Sequence, residues 1–224
     1  MRSQLQVKVW KSSALPPNWF KRICTLDEKN SESIENDVKT ILNRVRKNGD
    51  TALIEFTEKF DKTKLKAEAL RVSKGEIQEA YTAVSEKQIS ALKLIKNKVA
   101  AFEKLICERA KIETSKDGIA IQNVLRPIES VGCYVPGGKA AYPSTLIMTA
   151  VPAKVAGVPR IVVCTPPTAQ GTINPLILVA ADICGVNEVY KVGGSQAIAA
   201  LAYGTETVKA VKKIVGPGDR KSVV

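Results

Sequence analysis

A chain of 224 residues, 45% hydrophobic and 25% charged, has the composition of an ordinary globular protein and the length for one or two domains. Its most apolar stretches, such as residues 176–181, fall far short of a bilayer span, and residues 1–22 hold no continuous apolar run of the kind a secretory signal needs; a cytoplasmic protein with no membrane partner is expected. The net charge of +12 raises nucleic acid as a partner, but 24 basic residues face 17 acidic ones in 1–118 and 10 face 5 in 119–224, so the excess is spread along the chain, and aromatic platforms are scarce. A solvated lysine-rich surface is expected, and no nucleic acid.

The first half carries helical periodicity. Ile34, Val38, Ile41 and Val45 share one face, and Gly49 follows as a stop. Asp50 is placed to cap a second helix bearing Leu53, Phe56 and Phe60. Ser73 with Glu76, and Ser85 with Gln88, have the form of capping boxes. The second opens a long helix whose stripe of Ile89, Leu92, Val99, Phe102 and Ile106, with Ile95 beside it, is expected to face a core.

Near Gly118 charge thins, and β-branched runs alternate with Gly/Pro turns. Residues 119–125 and 128–135 read as strands around Pro127, 144–156 as a helix capped by Ser144, and 160–165 as an apolar strand buried on both faces. A helix over about 174–184, a strand over 188–192, a helix over 195–203 and a strand over 213–215 complete the pattern. Alternating strands and helices with short connections make a parallel sheet. The expected organisation is a mainly helical region, 1–117, and an incomplete Rossmann-like α/β domain, 118–224.

Ligands of such a sheet collect beyond the carboxyl ends of the strands. Three connections there are rich in glycine: Tyr134-Val135-Pro136-Gly137-Gly138, Val192-Gly193-Gly194-Ser195-Gln196 and Gly216-Pro217-Gly218. Glycine there permits positive φ and close approach of a ligand to the backbone, or merely a tight turn. A helix opening after the second loop would aim free N–H groups at an anion. Neither G-x-G-x-x-G nor the P-loop motif occurs. With no histidine, the chain has no Ser-His-Asp triad and no imidazole base. The five cysteines, Cys24, Cys107, Cys133, Cys164 and Cys184, form no C-x-x-C pair and are expected mostly as reduced, buried apolar side chains, Cys133 and Cys164 included.

The run Arg126-Pro127-Ile128-Glu129-Ser130-Val131-Gly132-Cys133-Tyr134-Val135-Pro136-Gly137-Gly138 resembles a segment of the histidinol dehydrogenases. Pro143-Ser144-Thr145, Val163-Cys164-Thr165-Pro166-Pro167, residues 192–205 and Val215-Gly216-Pro217-Gly218 continue the likeness in order, and Phe60-Asp61-Lys62 precedes it. The resemblance covers about residues 30–218. It implies an α/β fold like that of the aldehyde dehydrogenases, NAD-dependent oxidation of L-histidinol to L-histidine through the aldehyde, a zinc ion that holds the substrate, and a homodimer. By position it makes Tyr134 and Gln196 NAD-contacting residues. Asp219 stands where the family has an NAD-contacting asparagine; a carboxylate lacks the amide donor, and a like charge about 4 Å away at surface dielectric repels by roughly 4 kcal/mol before screening.

The family's zinc ligands and catalytic glutamate–histidine pair match no position here, so no catalytic or metal-binding residue is expected in this chain. The expectation is the amino-terminal half of such an enzyme, truncated and inactive alone. The alternatives are a non-enzymatic NAD- or anion-binding module and a fragment that complements a separate second half.

Overall fold

The computed structural model of the protein describes residues 28–137 and 141–217, and the chain divides into two units, Met1–Thr40 and Ile41–Val224. Helix α1 (Glu28–Asp61) crosses the boundary and leaves helical geometry at Gly49, where φ is +51° and ψ −132°. The expected stop is therefore a kink between two helical stretches. A left-handed φ is cheap only for glycine, so the kink falls where the residue allows it.

Asp50 does not cap the second stretch. Its carboxylate accepts from the Thr207 backbone N–H and hydroxyl, while its own N–H donates to Glu206 Oε2 at 2.7 Å. A residue distant in the chain thus supplies the helix-terminal acceptor that sequence reasoning assigned to Asp50. Leu53 and Phe56 are buried as expected, but Phe60 at the end of the stripe is 48% exposed.

Helices α2 (Lys74–Thr82) and α3 (Glu86–Ala110) open on the two capping boxes, with the Ser73 and Ser85 hydroxyls accepting from the Glu76 and Gln88 N–H groups. Along α3, Leu92 is buried and Ile89 and Val99 pack on the core, whereas Ile95, Phe102 and Ile106 are exposed. The expected core stripe is thus covered only over its first half. An amphipathic period says which face is apolar, not how far its cover extends.

Strands β1 (Glu113–Lys116) and β2 (Ile119–Gln122) form an antiparallel hairpin around Asp117-Gly118, both at positive φ. This corrects the expected strand 119–125, which stops at Gln122 and belongs to a separate two-stranded ribbon; Asp-Gly is a favoured pair for such a turn.

The main sheet comprises β3 (Ser130–Tyr134), β4 (Arg160–Thr165), β5 (Glu188–Lys191) and β6 (Lys213–Val215), all parallel, in the order β5-β4-β3-β6. Helices α4 (Pro143–Val155), α5 (Pro175–Ile183) and α6 (Gly194–Tyr203) connect the strands. Helix α4 opens with Pro143 in its first turn and Tyr142 as a cap without a side-chain bond, so Ser144 is not the cap. Proline fits this first turn because its missing N–H has no partner there in any case.

Each face of the sheet has its own core. Val131, Cys133, Ile161, Val163 and Val189 pack with α2 to α5; Val162, Cys164, Tyr190 and Val192 pack with α6 and residues 45–70. Strand side chains alternate between faces, so the almost wholly apolar run Arg160–Thr165 serves both layers. Residues Leu70 and Val72 hydrogen-bond along β5 and cover that edge. Among the described residues, no helix is long and apolar enough to cross a membrane.

Candidate functional site

A parallel sheet brings every strand's carboxyl end to one edge. The chain moves from β3 to β4 to β5, then returns past β3 to β6, so successive connections diverge between β3 and β6. That divergence opens a crevice at the carboxyl edge, and ligands of doubly wound sheets bind in such a crevice.

Two of the glycines on this edge serve the packing of the loops themselves. A Cβ on Gly137 would lie 2.4 Å from Pro166 Cγ, and one on Gly193 would lie 2.4 Å from Pro166 Cβ. The loops after β3 and β5 therefore close on the proline after β4, and the missing side chains there admit Pro166, not a ligand. Similarly, a Cβ on Gly216 would lie 2.6 Å from the Tyr134 carbonyl oxygen. Gly194, with φ +60°, is the position where the turn demands left-handed backbone.

Tyr134 ends β3, and its hydroxyl accepts the Gly194 N–H at 3.1 Å. That bond uses a lone pair and leaves the phenolic proton to be donated. Burial pushes the Tyr134 pKa up, so the phenol keeps that proton at neutral pH. Gln196 lies in the first turn of α6, 1% exposed, and its Oε1 has no partner among the described residues. The Gln196 amide folds back over the helix start, since a Cβ on Gly194 would lie 2.7 Å from Oε1. The first bond that closes a turn here runs from Ala197 N–H to the Gly193 carbonyl, so the Ser195 and Gln196 N–H groups precede it and face outward at the positive end of a ten-residue helix.

Asp61 is the residue that sequence reasoning left without a role. It closes α1, and its Oδ2 is buried without a hydrogen-bond partner among the described residues. Burial raises its pKa. The sequence signal was present in Phe60-Asp61-Lys62, but nothing local says that this carboxyl meets the sheet edge.

Two adjoining cavities lie along this carboxyl edge, over the ends of β3, β4 and β5 and beside the β3–β6 divergence. One, of about 480 Å³, is bounded by residues such as Thr165, Thr168 and Asn174; the other, of about 370 Å³, by Phe60, Tyr134, Gly194, Ser195 and Gln196. Asp61, Pro136, Gly137 and Pro166 line both. Their size suits a cofactor-sized ligand. The structure brings Tyr134 and Gln196 together; Asp219, like Gly138 and Gly218, lies outside the described residues.

Cys133 and Cys164 are fully buried in β3 and β4. Burial pushes the Cys133 thiol up to about 11 and the Cys164 thiol higher still, so neither is a nucleophile at neutral pH. Among the described residues no three His, Cys, Asp or Glu side chains gather closely enough to hold a metal ion. The described residues do not fit a zinc ion.

The histidinol dehydrogenase family model matches residues 25–221. The chain belongs to the histidinol dehydrogenase family. It is 48% identical over 201 residues to the histidinol dehydrogenase of Clostridium acetobutylicum, covering 90% of this chain and 46% of that protein. It is 46% identical over 203 residues to histidinol dehydrogenase 2 of a Nostoc species, covering 89% and 46%. The crystal structure of histidinol dehydrogenase from Elizabethkingia anophelis superposes with a TM-score of 0.79 at 35% identity, covering 92% of this chain and 47% of that one. The chain spans about half the length of the curated relatives it matches. The crevice and both cavities are built from residues within the family match.

Proposed function

We propose that the protein serves NAD-dependent oxidation of L-histidinol to L-histidine through the aldehyde, and that the carboxyl edge of its sheet is the face that takes the dinucleotide. The observation that carries this reading is the coincidence of the family match with a cavity at the carboxyl edge of the sheet, lined by Tyr134, Gly194 and Gln196.

The residues fit a dinucleotide. The Ser195 and Gln196 N–H groups and the positive end of α6 suit a pyrophosphate. Gln196 Oε1, buried and unpaired among the described residues, is an acceptor awaiting a donor. Tyr134 keeps one proton to give while Gly194 fixes its hydroxyl. By its place in the family pattern Asp219 is the third cofactor position, with a carboxylate where the family has an asparagine. NAD⁺ supplies a hydride acceptor when bound.

The chain has no imidazole, so in this reading its part is to bind and orient the cofactor, while zinc binding and the catalytic acid–base groups fall to residues outside it. A homodimer is supported by the apolar surface of α3 and the hairpin, where Phe102, Leu105, Ile106, Ile112, Ile119 and Ile121 are exposed. Cys133, Cys164 and Cys184, free and buried, suit a reducing cytoplasm.

Isothermal titration with NAD⁺ tests the reading. Heat of binding is expected for the protein, with affinity reduced roughly tenfold in Tyr134→Phe, because a buried hydrogen bond contributes about 0.5–1.5 kcal/mol and the Gly194 N–H also loses its acceptor. No heat at millimolar NAD⁺ refutes it.

A further inference from the structure

We propose that residues 205–212 form a strap that opens together with β6 as one local unit, while β3, β4 and β5 stay closed. The inference concerns the fold and does not depend on the dinucleotide reading.

The strap carries the chain from the end of α6 to the start of β6 and belongs to no helix or strand. Two backbone bonds close its turns, from the Thr205 N–H to the Val208 carbonyl at 2.8 Å and from the Val211 N–H to the Leu201 carbonyl at 2.9 Å. Beyond these turns it is gripped by side chains, one from α1 and one from each of β3, β4 and β5. Asp50 accepts from the Thr207 N–H and hydroxyl, and Glu206 returns a bond by accepting the Asp50 N–H at 2.7 Å. Ser130 Oγ accepts the Lys212 N–H at 3.1 Å. Arg160 donates to the Lys209 and Ala210 carbonyls, both at 3.1 Å. The Tyr190 hydroxyl lies 3.1 Å from the Thr207 carbonyl and 2.7 Å from Glu188 Oε2, with one proton for the two.

These side chains satisfy polar groups but give little cover. Over residues 203–217 Val208 alone is buried, whereas residues 131–133, 161–165 and 189–191 are buried throughout. The strand that follows adds little hold of its own. β6 pairs with β3 over three residues and has no strand on its outer side among the described residues; Lys213 is exposed, and Ile214 and Val215 are half-buried. A segment with one buried apolar side chain and solvent-facing polar bonds belongs to the low-stability end of a structure.

Opening of the strap removes the anchor on the amino-terminal side of β6, and three paired residues do not hold that strand in place alone. The effect reaches the carboxyl edge. A Cβ on Gly216 would lie 2.6 Å from the Tyr134 carbonyl oxygen, so the end of β6 is seated directly on the end of β3. When the unit opens, that seat is lost and the outer edge of β3 stands without a partner. The wall beside β3 is therefore a movable one.

Hydrogen exchange read by mass spectrometry, at pH 7 and without ligand, tests this. The hydrogen-bonded amides of 205–215 are expected to exchange at a common rate, on the order of a hundredfold faster than those of 161–165 and 189–191. Asp50→Ala acts at the start of the strap, yet it should speed exchange of 213–215 roughly tenfold through the lost bonds to a charged acceptor. Ser130→Ala is the milder variant and reads the coupling from the other end: it should speed exchange at Thr207 about fivefold. Both should leave 161–165 and 189–191 unchanged. Exchange of β6 as slow as that of β4 overturns the proposal. So does an Asp50→Ala effect confined to 205–208, which means that strap and strand open separately, or an equal effect on all four strands, which means that the hold is global.

Discussion

Gly194 joins the fold to the site at one atom, and Gly194→Ala measures the join. Its φ of +60° lies in the left-handed region, which costs an L-residue about 1–2 kcal/mol. The new Cβ would also sit 2.7 Å from Gln196 Oε1, where ordinary contact begins near 3.4 Å. The Gln196 amide is the far end of a flexible side chain beside a cavity, so it yields to the new methyl at small cost and the backbone strain dominates. The expected destabilisation is therefore about 1–2 kcal/mol. For a protein of this size each kcal/mol lowers the melting temperature by about 2–4 °C, which predicts a fall on the order of 5 °C. Differential scanning calorimetry measures it. Gly75→Ala is the control: ordinary φ, nothing nearer to its Cβ than Ser73 Oγ at 3.8 Å, and an expected gain of about 0.5 kcal/mol from helix propensity. A Gly194→Ala melting temperature within 2 °C of the unmodified protein would refute the strain.

Two further outcomes concern the support of the sheet. Arg160 donates from Nε and Nη2 to the Glu188 carboxylate at 2.8 and 3.0 Å and from Nη1 and Nη2 to the Ala210 and Lys209 carbonyls, so Arg160→Ala should cost about 2–3 kcal/mol by leaving a largely buried carboxylate with the Tyr190 hydroxyl but without its cation. The hydrogen bond from Arg160 is the foremost cause holding the Glu188 pKa below its usual 4.5. A depressed carboxylate stabilises the fold above its unfolded pKa and loses that contribution as pH falls through the folded one, so the acid-side decline should be shallower in Arg160→Ala. Urea melts between pH 3 and 7 that run parallel would contradict this. Burial pushes the Cys133 and Cys184 thiols up to about 11, and with Cys164 they should resist iodoacetamide at pH 8 until urea is added; rapid native labelling of Cys133 by mass spectrometry would show the strand to be open.

How much was readable in the sequence follows from how local each cause is. The capping boxes of Ser73 and Ser85 are closed within four residues, and both form as the sequence suggests. The apolar run Arg160–Thr165 announces a strand covered on two sides, because period-two alternation turns an unbroken apolar run into two apolar faces. Asp50 fails as a cap for the opposite reason: its best partners, Glu206 and Thr207, come from the far end of the chain, and no local pattern names them. Phe102 and Ile106 fail as core for a related one, since a helix can continue its period past the last element that covers it. The hairpin strand Glu113–Lys116 has neither apolar run nor burial, and only its Asp-Gly turn could have betrayed it.

The glycine-rich loops show the limit more sharply, because there a correct location rests on a partly mistaken cause. Gly137 and Gly193 point to the functional edge, yet the space they spare is filled by Pro166, which the sequence offers only as part of the family-like run after β4. Pro166 draws the ends of three strands into one wall, and that wall is shared by both cavities. The small residues thus mark the site indirectly: loops must converge closely before a crevice has a defined rim, and convergence needs glycine whether or not a ligand touches it. The groups left to meet a ligand are the polar ones that this packing leaves unpaired among the described residues, the Gln196 oxygen, one Asp61 carboxylate oxygen and the Tyr134 proton. None of the three is identified by its own residue type. Each is identified by what the surrounding fold fails to give it.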